Sequence, residues 1–213
     1  MLRRTFMLGA MAGAVVPSAP ALGATEARRV FRIMRSGSDI GRHVLSARLD
    51  GDAFAIDIDV DIAVKLLGFT AYRYELTNRE RWKGGAILSV DSRVNGDGDN
   101  EYAKIKGGVG GLEIDGSGYS GQVSREAVTT SYFAPEFLNR RPWVSTQSGK
   151  PLEVDIRNAA GSGPVRVTGE LETTLIYDQD GEWTGSRFDA RGEEIRYDLI
   201  EESGNIADLW RSA

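Results

Sequence analysis

From residue 53 to residue 65 the chain alternates without a break. Phe54, Ile56, Ile58, Val60, Ile62 and Val64 fall on one face, with Ala55, Asp57, Asp59, Asp61, Ala63 and Lys65 on the other. This two-residue period is that of a β-strand and fails the i, i+3, i+4 spacing of a helix. One face is therefore apolar and buried, the other wet and acidic, as in an antiparallel sheet. Burying those six side chains is worth on the order of 10 kcal/mol before chain entropy is set against it.

The alternation extends in both directions. Residues 28–35 and 42–50 read as strands joined by a turn at 36–39, and Asp50-Gly51 turns the chain into the strong strand. Over residues 71–82, Tyr72, Tyr74, Leu76 and Trp82 share a phase opposite Arg73, Glu75, Thr77, Arg79 and Arg81. Leu88, Val90 and Val94 carry the next strand. Residues 95–100, Asn-Gly-Asp-Gly-Asp-Asn, close it. Weaker strands at 102–106 and 112–115 flank a glycine-rich loop. Beyond residue 150 the pattern predicts strands at 152–157, 165–177, 182–190 and 193–200, and a short helix or tail at 205–213.

About ten strands with hairpin-length links and no long helical crossover predict an all-β domain with a predominantly antiparallel sheet. A sheet of that size with one apolar face must curl, so the expected architecture is a strongly curved half-barrel or barrel-like sheet with one short helical segment. That segment falls in residues 127–150, where alternation stops. Pro135 suits the first turn of a short helix ending before Pro142. It presents Tyr132, Phe133, Phe137, Leu138 and Trp143 as an aromatic cluster, either a plug completing the core or a lid over a cavity.

The first 24 residues stand apart from this pattern. Arg3 and Arg4 precede an apolar run from Phe6 to Val16, then a small-residue stretch to Ala24. This is the layout of an export signal, too short to span a bilayer. Arg3-Arg4-Thr5-Phe6-Met7 resembles the twin-arginine type, which implies contact with the export machinery through Arg3 and Arg4. Cleavage after Ala21 or Ala24 would leave a single β domain over residues 25–213, periplasmic after export.

Composition narrows the chemistry. The 213 residues hold no cysteine and a single histidine, His43. Thiol catalysis, disulfides, Cys-ligated metals, multi-His metal sites and a lipid-modified cysteine are therefore excluded, and no cofactor is implied. A net charge of −5 lacks the basic footprint of a nucleic-acid partner. Asp57, Asp59 and Asp61 invite a carboxylate reading, but arginines 73, 79 and 81 on the next strand are placed to pair across to them. Residues 95–101 fail the EF-hand pattern, since its sixth and twelfth positions hold Asn100 and Lys106. Residues 118–122 depart from G-x-S-x-G at the last position. His43 is the only candidate imidazole base, and no catalytic constellation surrounds it in sequence.

Residues 64–74 (VKLLGFTAYRY), 79–82 (RERW), 130–133 (TSYF) and 177–183 (YDQDGEW) resemble a family of exported bacterial proteins, domain of unknown function 6134. The resemblance runs over residues 30–199. It implies no reaction, and so no catalytic or metal-binding residue. It is similar in style to periplasmic curved-sheet domains, including lipoprotein-carrier half-barrels.

The sequence therefore favours non-catalytic binding of an apolar or amphiphilic envelope ligand, such as a lipid, in the concave face. Ile58, Val60, Ile62, Tyr72, Tyr74, Phe133, Phe137 and Trp143 are the expected contacts. Two alternatives remain: a scaffolding or envelope-integrity role through surface contacts, and a hydrolase using the Asp57, Asp59 and Asp61 face with Arg73.

Overall fold

A computed structural model describes residues 25–66, 69–157 and 163–213; the predicted leader lies outside the described residues. The alternating segments form a meander: β1 (Glu26–Arg35), β2 (Ser38–Asp50), β3 (Ala53–Leu66), β4 (Phe69–Lys83), β5 (Ala86–Gly96), β6 (Asp99–Gly108), β7 (Gly111–Gly116) and β8 (Ser120–Val123). Three two-residue strands, β9 (Val128–Thr129), β10 (Trp143–Val144) and β11 (Pro151–Leu152), make a small second sheet. A second meander follows: β12 (Val154–Arg157), β13 (Gly163–Gly169), β14 (Thr173–Tyr177), β15 (Trp183–Ala190) and β16 (Glu193–Ser203). β16 pairs antiparallel with β1, so the two meanders fuse into one 13-stranded sheet with edges at β8 and β12.

The expected curved, antiparallel, barrel-like sheet is what the chain forms, with more strands than the predicted ten. Two of the extra ones come from segments that alternation alone does not divide, and β8, β9 and β10 lie where no strand is predicted. Residues 165–177 are two strands rather than one, because the chain turns at Gly169, whose φ of +108° suits glycine. Leu88 is exposed rather than inward. Trp82 pairs with Ile87 while Arg81 pairs with Ser89, so a bulge inserts Leu88 and hands its inward place to Ile87.

Cross-strand register stacks the inward side chains in rows. Phe31, His43, Val60, Leu76 and Val94 form one; Leu45, Ile58, Asn78, Ser92 and Ala103 the next. Ala47, Ile56, Glu80, Val90 and Ile105 follow, then Phe54, Trp82 and Ile87. One contiguous core fills the concavity behind them.

The segment between β8 and β12 occupies that concavity. A 3-10 turn at Pro135–Asn139 and the strand β10 bury Phe133, Phe137, Leu138 and Trp143. Phe133 and Phe137 lie 5.1 Å, centroid to centroid, from Phe54 and Trp82 respectively. The C-terminal helix α1 (Ile206–Ser212) adds Trp210, 5.3 Å from both Trp82 and Phe133. Its Asn205 N-cap accepts from the Asp208 amide at 2.7 Å. The segment also bridges the two sheet edges. The Gly118 amide donates to the Ser148 carbonyl at 2.8 Å, and the Glu170 amide to the Glu153 carbonyl at 3.0 Å. Arg140 donates to the carbonyls of Gly85, Glu126 and Ala127.

Candidate functional site

The plug fills the rows from Glu80 to Trp82. Above it, the rows of His43 and Asn78 enclose a cavity of about 210 Å³. β3 supplies Ile58 and Val60, and β4 supplies Tyr74, Leu76 and Asn78. Ser186 and Phe188 of β15, Tyr197 of β16, and Tyr132 and Thr146 of the plug segment complete the lining. Gln147 and Glu172 are also part of the wall and are exposed, which marks the mouth.

Polar groups sit deep in this wall. His43 is 8% exposed and Asn78 1% exposed. His43 is held edge-on by Trp183 at 5.2 Å and Tyr197 at 5.5 Å, with Phe31 at 6.0 Å. Among the described residues neither ring nitrogen of His43, nor the Asn78 side-chain oxygen, has a hydrogen-bond partner. Such atoms are uncommon in a folded protein, because each forfeits its hydration without replacement. Burial holds the His43 pKa down to about 3, so the ring is neutral and one nitrogen remains an acceptor at neutral pH. Burial likewise pushes the phenols of Tyr74, Tyr132 and Tyr197 up, and Tyr197 adds to the rise at the other two. All three stay protonated donors.

Behind this wall lies Glu80, 1% exposed. One carboxyl oxygen accepts from Asn78 Nδ2 at 2.6 Å. The other accepts from Trp82 Nε1 at 2.8 Å and Thr129 Oγ1 at 3.0 Å. Desolvation raises its pKa although each of those hydrogen bonds favours the charged form. Glu80 thus clamps β4 to the plug and fixes Asn78 by its amide, leaving the Asn78 oxygen free. Tyr132, whose φ of +59° is unusual for an aromatic residue, is pinned by Tyr177, whose hydroxyl donates to the Tyr132 carbonyl at 2.9 Å. That backbone conformation sets the Tyr132 ring in the cavity wall.

Of the expected contacts, Ile58, Val60 and Tyr74 line the cavity. Ile62 and Tyr72 are half-buried on the same strands outside the lining. Phe133, Phe137 and Trp143 pack into the plug, with the Trp143 Nε1 donating to the Phe137 carbonyl at 3.0 Å. Sequence reasoning missed Asn78, Ser186 and Tyr197 and left His43 without a setting. The signal for Asn78 and Glu80 was present: both fall in the inward phase between Leu76 and Trp82.

The acidic ladder lies on the outer, solvated face. Asp57 pairs with Arg48 at 3.0 Å and Arg79 at 3.4 Å, Asp59 with Arg79 at 3.1 Å, and Asp61 with Arg73 at 3.6 Å. Exposed pairs of this kind contribute little to stability, and they leave no carboxylate dyad set up for acid–base work. Among the described residues no group of three or more His, Cys, Asp or Glu is arranged to hold a metal ion.

Fold and cavity together define a barrel-like β-protein with a plugged base and a part-polar internal chamber. The chain belongs to the family Domain of unknown function (DUF6134), whose model matches residues 31–200. Among solved structures, the beta-barrel-like protein of domain of unknown function DUF1849 from Brucella abortus aligns with a TM-score of 0.57 at 8% identity. The alignment covers 86% of this chain and 99% of that one. At that identity the likeness shows the fold alone. No curated protein matches the sequence. Among the described residues no helix is long and apolar enough to cross a membrane.

Proposed function

We propose that this protein is exported to the periplasm and binds a small apolar or amphiphilic envelope molecule in the chamber above its plug. The observation that carries this reading is a cavity of about 210 Å³ whose wall combines Ile58, Val60, Leu76 and Phe188 with the side chains of Tyr74, Tyr132 and Tyr197. Packing alone would close such a space. The volume exceeds the roughly 150 Å³ that admits benzene in an engineered apolar cavity, and falls below the roughly 300 Å³ lower bound for drug-sized ligands. The occupant is therefore about one ring or one short chain in size, not a whole lipid. Export rests on the leader: Arg3 and Arg4 ahead of an apolar run would engage the export machinery.

Ligand-observed NMR with benzene tests the binding. Benzene signals should broaden saturably with the native protein and not with Ser186→Leu, which fills the chamber. No broadening by the native protein would overturn the reading. Export is tested separately: replacing Arg3 and Arg4 by Lys should retain the precursor in the cytoplasm, and unimpaired release would remove the twin-arginine assignment.

A further inference from the structure

We infer that the chamber selects an uncharged molecule carrying a hydroxyl or carbonyl on a short apolar ring or chain, and rejects anions and ammonium ions of the same size. This rests on the chamber being a binding site, and adds which chemistry it accepts.

The argument is one of charge and of hydrogen bonding. Among the described residues lining the chamber there is no Lys or Arg, and the one carboxylate, Glu172, is exposed at the mouth. A carboxylate or phosphate moved inside would lose its hydration with no cation to replace it, and would pass Glu172 on the way. An ammonium fares little better. Glu172 is solvated and its attraction screened, and Glu80 stands behind Asn78 with its oxygens engaged by Asn78, Trp82 and Thr129.

An uncharged polar group meets the opposite situation. A hydroxyl or carbonyl oxygen can accept from the phenols of Tyr74 or Tyr197, and a hydroxyl can donate to the side-chain oxygens of Thr130 or Ser186, all in the lining. Ile58, Val60, Leu76 and Phe188 cover the remainder of the ligand. The ligand thereby makes hydrogen bonds that a purely apolar guest cannot give.

Four probes of similar size separate these cases: phenol, toluene, benzoate and benzylamine, each titrated into the native protein with NMR detection of binding. Phenol should saturate at least tenfold below benzoate and benzylamine, and no more weakly than toluene although water solvates it better. Replacing Tyr74 and Tyr197 together by Phe should weaken phenol relative to toluene while toluene still binds, which shows that the variant folds. Benzoate or benzylamine binding as tightly as phenol, or toluene binding tenfold tighter, would overturn the inferred class while leaving the chamber a binding site. Saturation by none of the four would take down the class and the binding reading together.

Discussion

His43 and Glu80 are buried titratable groups whose ionisation opposes folding, and they act over different pH ranges. The His43 ring stays neutral in the native protein down to pH about 3, whereas in the unfolded chain it takes a proton below the ordinary 6.5. As pH falls from 6.5 towards 3 the unfolded state binds a proton the native state refuses, so stability is lost through that window. The full effect is on the order of 3–5 kcal/mol. In His43→Phe that loss should vanish, visible as a flatter pH dependence of the urea midpoint between pH 6.5 and 4 than in the native protein; parallel curves would show the ring is hydrated. Glu80 works the other way. Its native carboxyl keeps a proton that the unfolded chain releases above 4.5, so its contribution falls as pH rises past that value. Measured against Glu80→Gln, the native protein should therefore lose relative stability as pH rises above 4.5. A gap that does not change with pH would contradict a raised pKa.

At the scale of elements, the plug between β8 and β12 is what converts an open sheet into a chamber. Phe137 is 1% exposed and sits between Trp82, Phe133 and Trp210. Phe137→Ala should cost about 3–5 kcal/mol by the usual reckoning for a buried aromatic. Chemical denaturation would show it, and a cost under about 1 kcal/mol would mean the plug is not part of the core. The strong strand was legible in sequence because its period is local: Phe54, Ile56, Ile58 and Val60 are all buried, and the aspartates between them face out. The division of residues 165–177 was not, because Gly169 is the only breaker in a stretch whose β-branched residues suit either reading. Nor was the bulge at Leu88, which depends on how β5 pairs with β4. The setting of His43 was least legible of all. The rings that desolvate it come from β1, β15 and β16, brought together only when the last strand pairs with the first.

For the whole molecule, that pairing of β16 with β1 places the two ends of the domain in the middle of the sheet and leaves mid-chain strands at its edges. Protection against hydrogen exchange should follow this order rather than distance from the termini. Amides of β1, β3 and β4 should exchange slowest, and those of β8 and β12 fastest among the strands of the large sheet. Exchange fastest in β1 and β16 would contradict the fused-meander topology. The same arrangement explains the chamber's position. The strands bearing His43, Asn78, Ser186 and Tyr197 lie in that central stretch, so the cavity walls are drawn from the best-supported part of the fold, while Gln147 and Glu172 at the mouth belong to its margins.

Because His43 is the only histidine, its imidazole nitrogens give one spin system that reports directly on the chamber. Titrating the native protein, without an affinity tag, with phenol and following those nitrogen resonances should give a saturable shift at neutral pH, absent in Ser186→Leu. Resonances that stay fixed up to the solubility of phenol, or that move identically in the filled variant, would contradict a ligand-binding chamber.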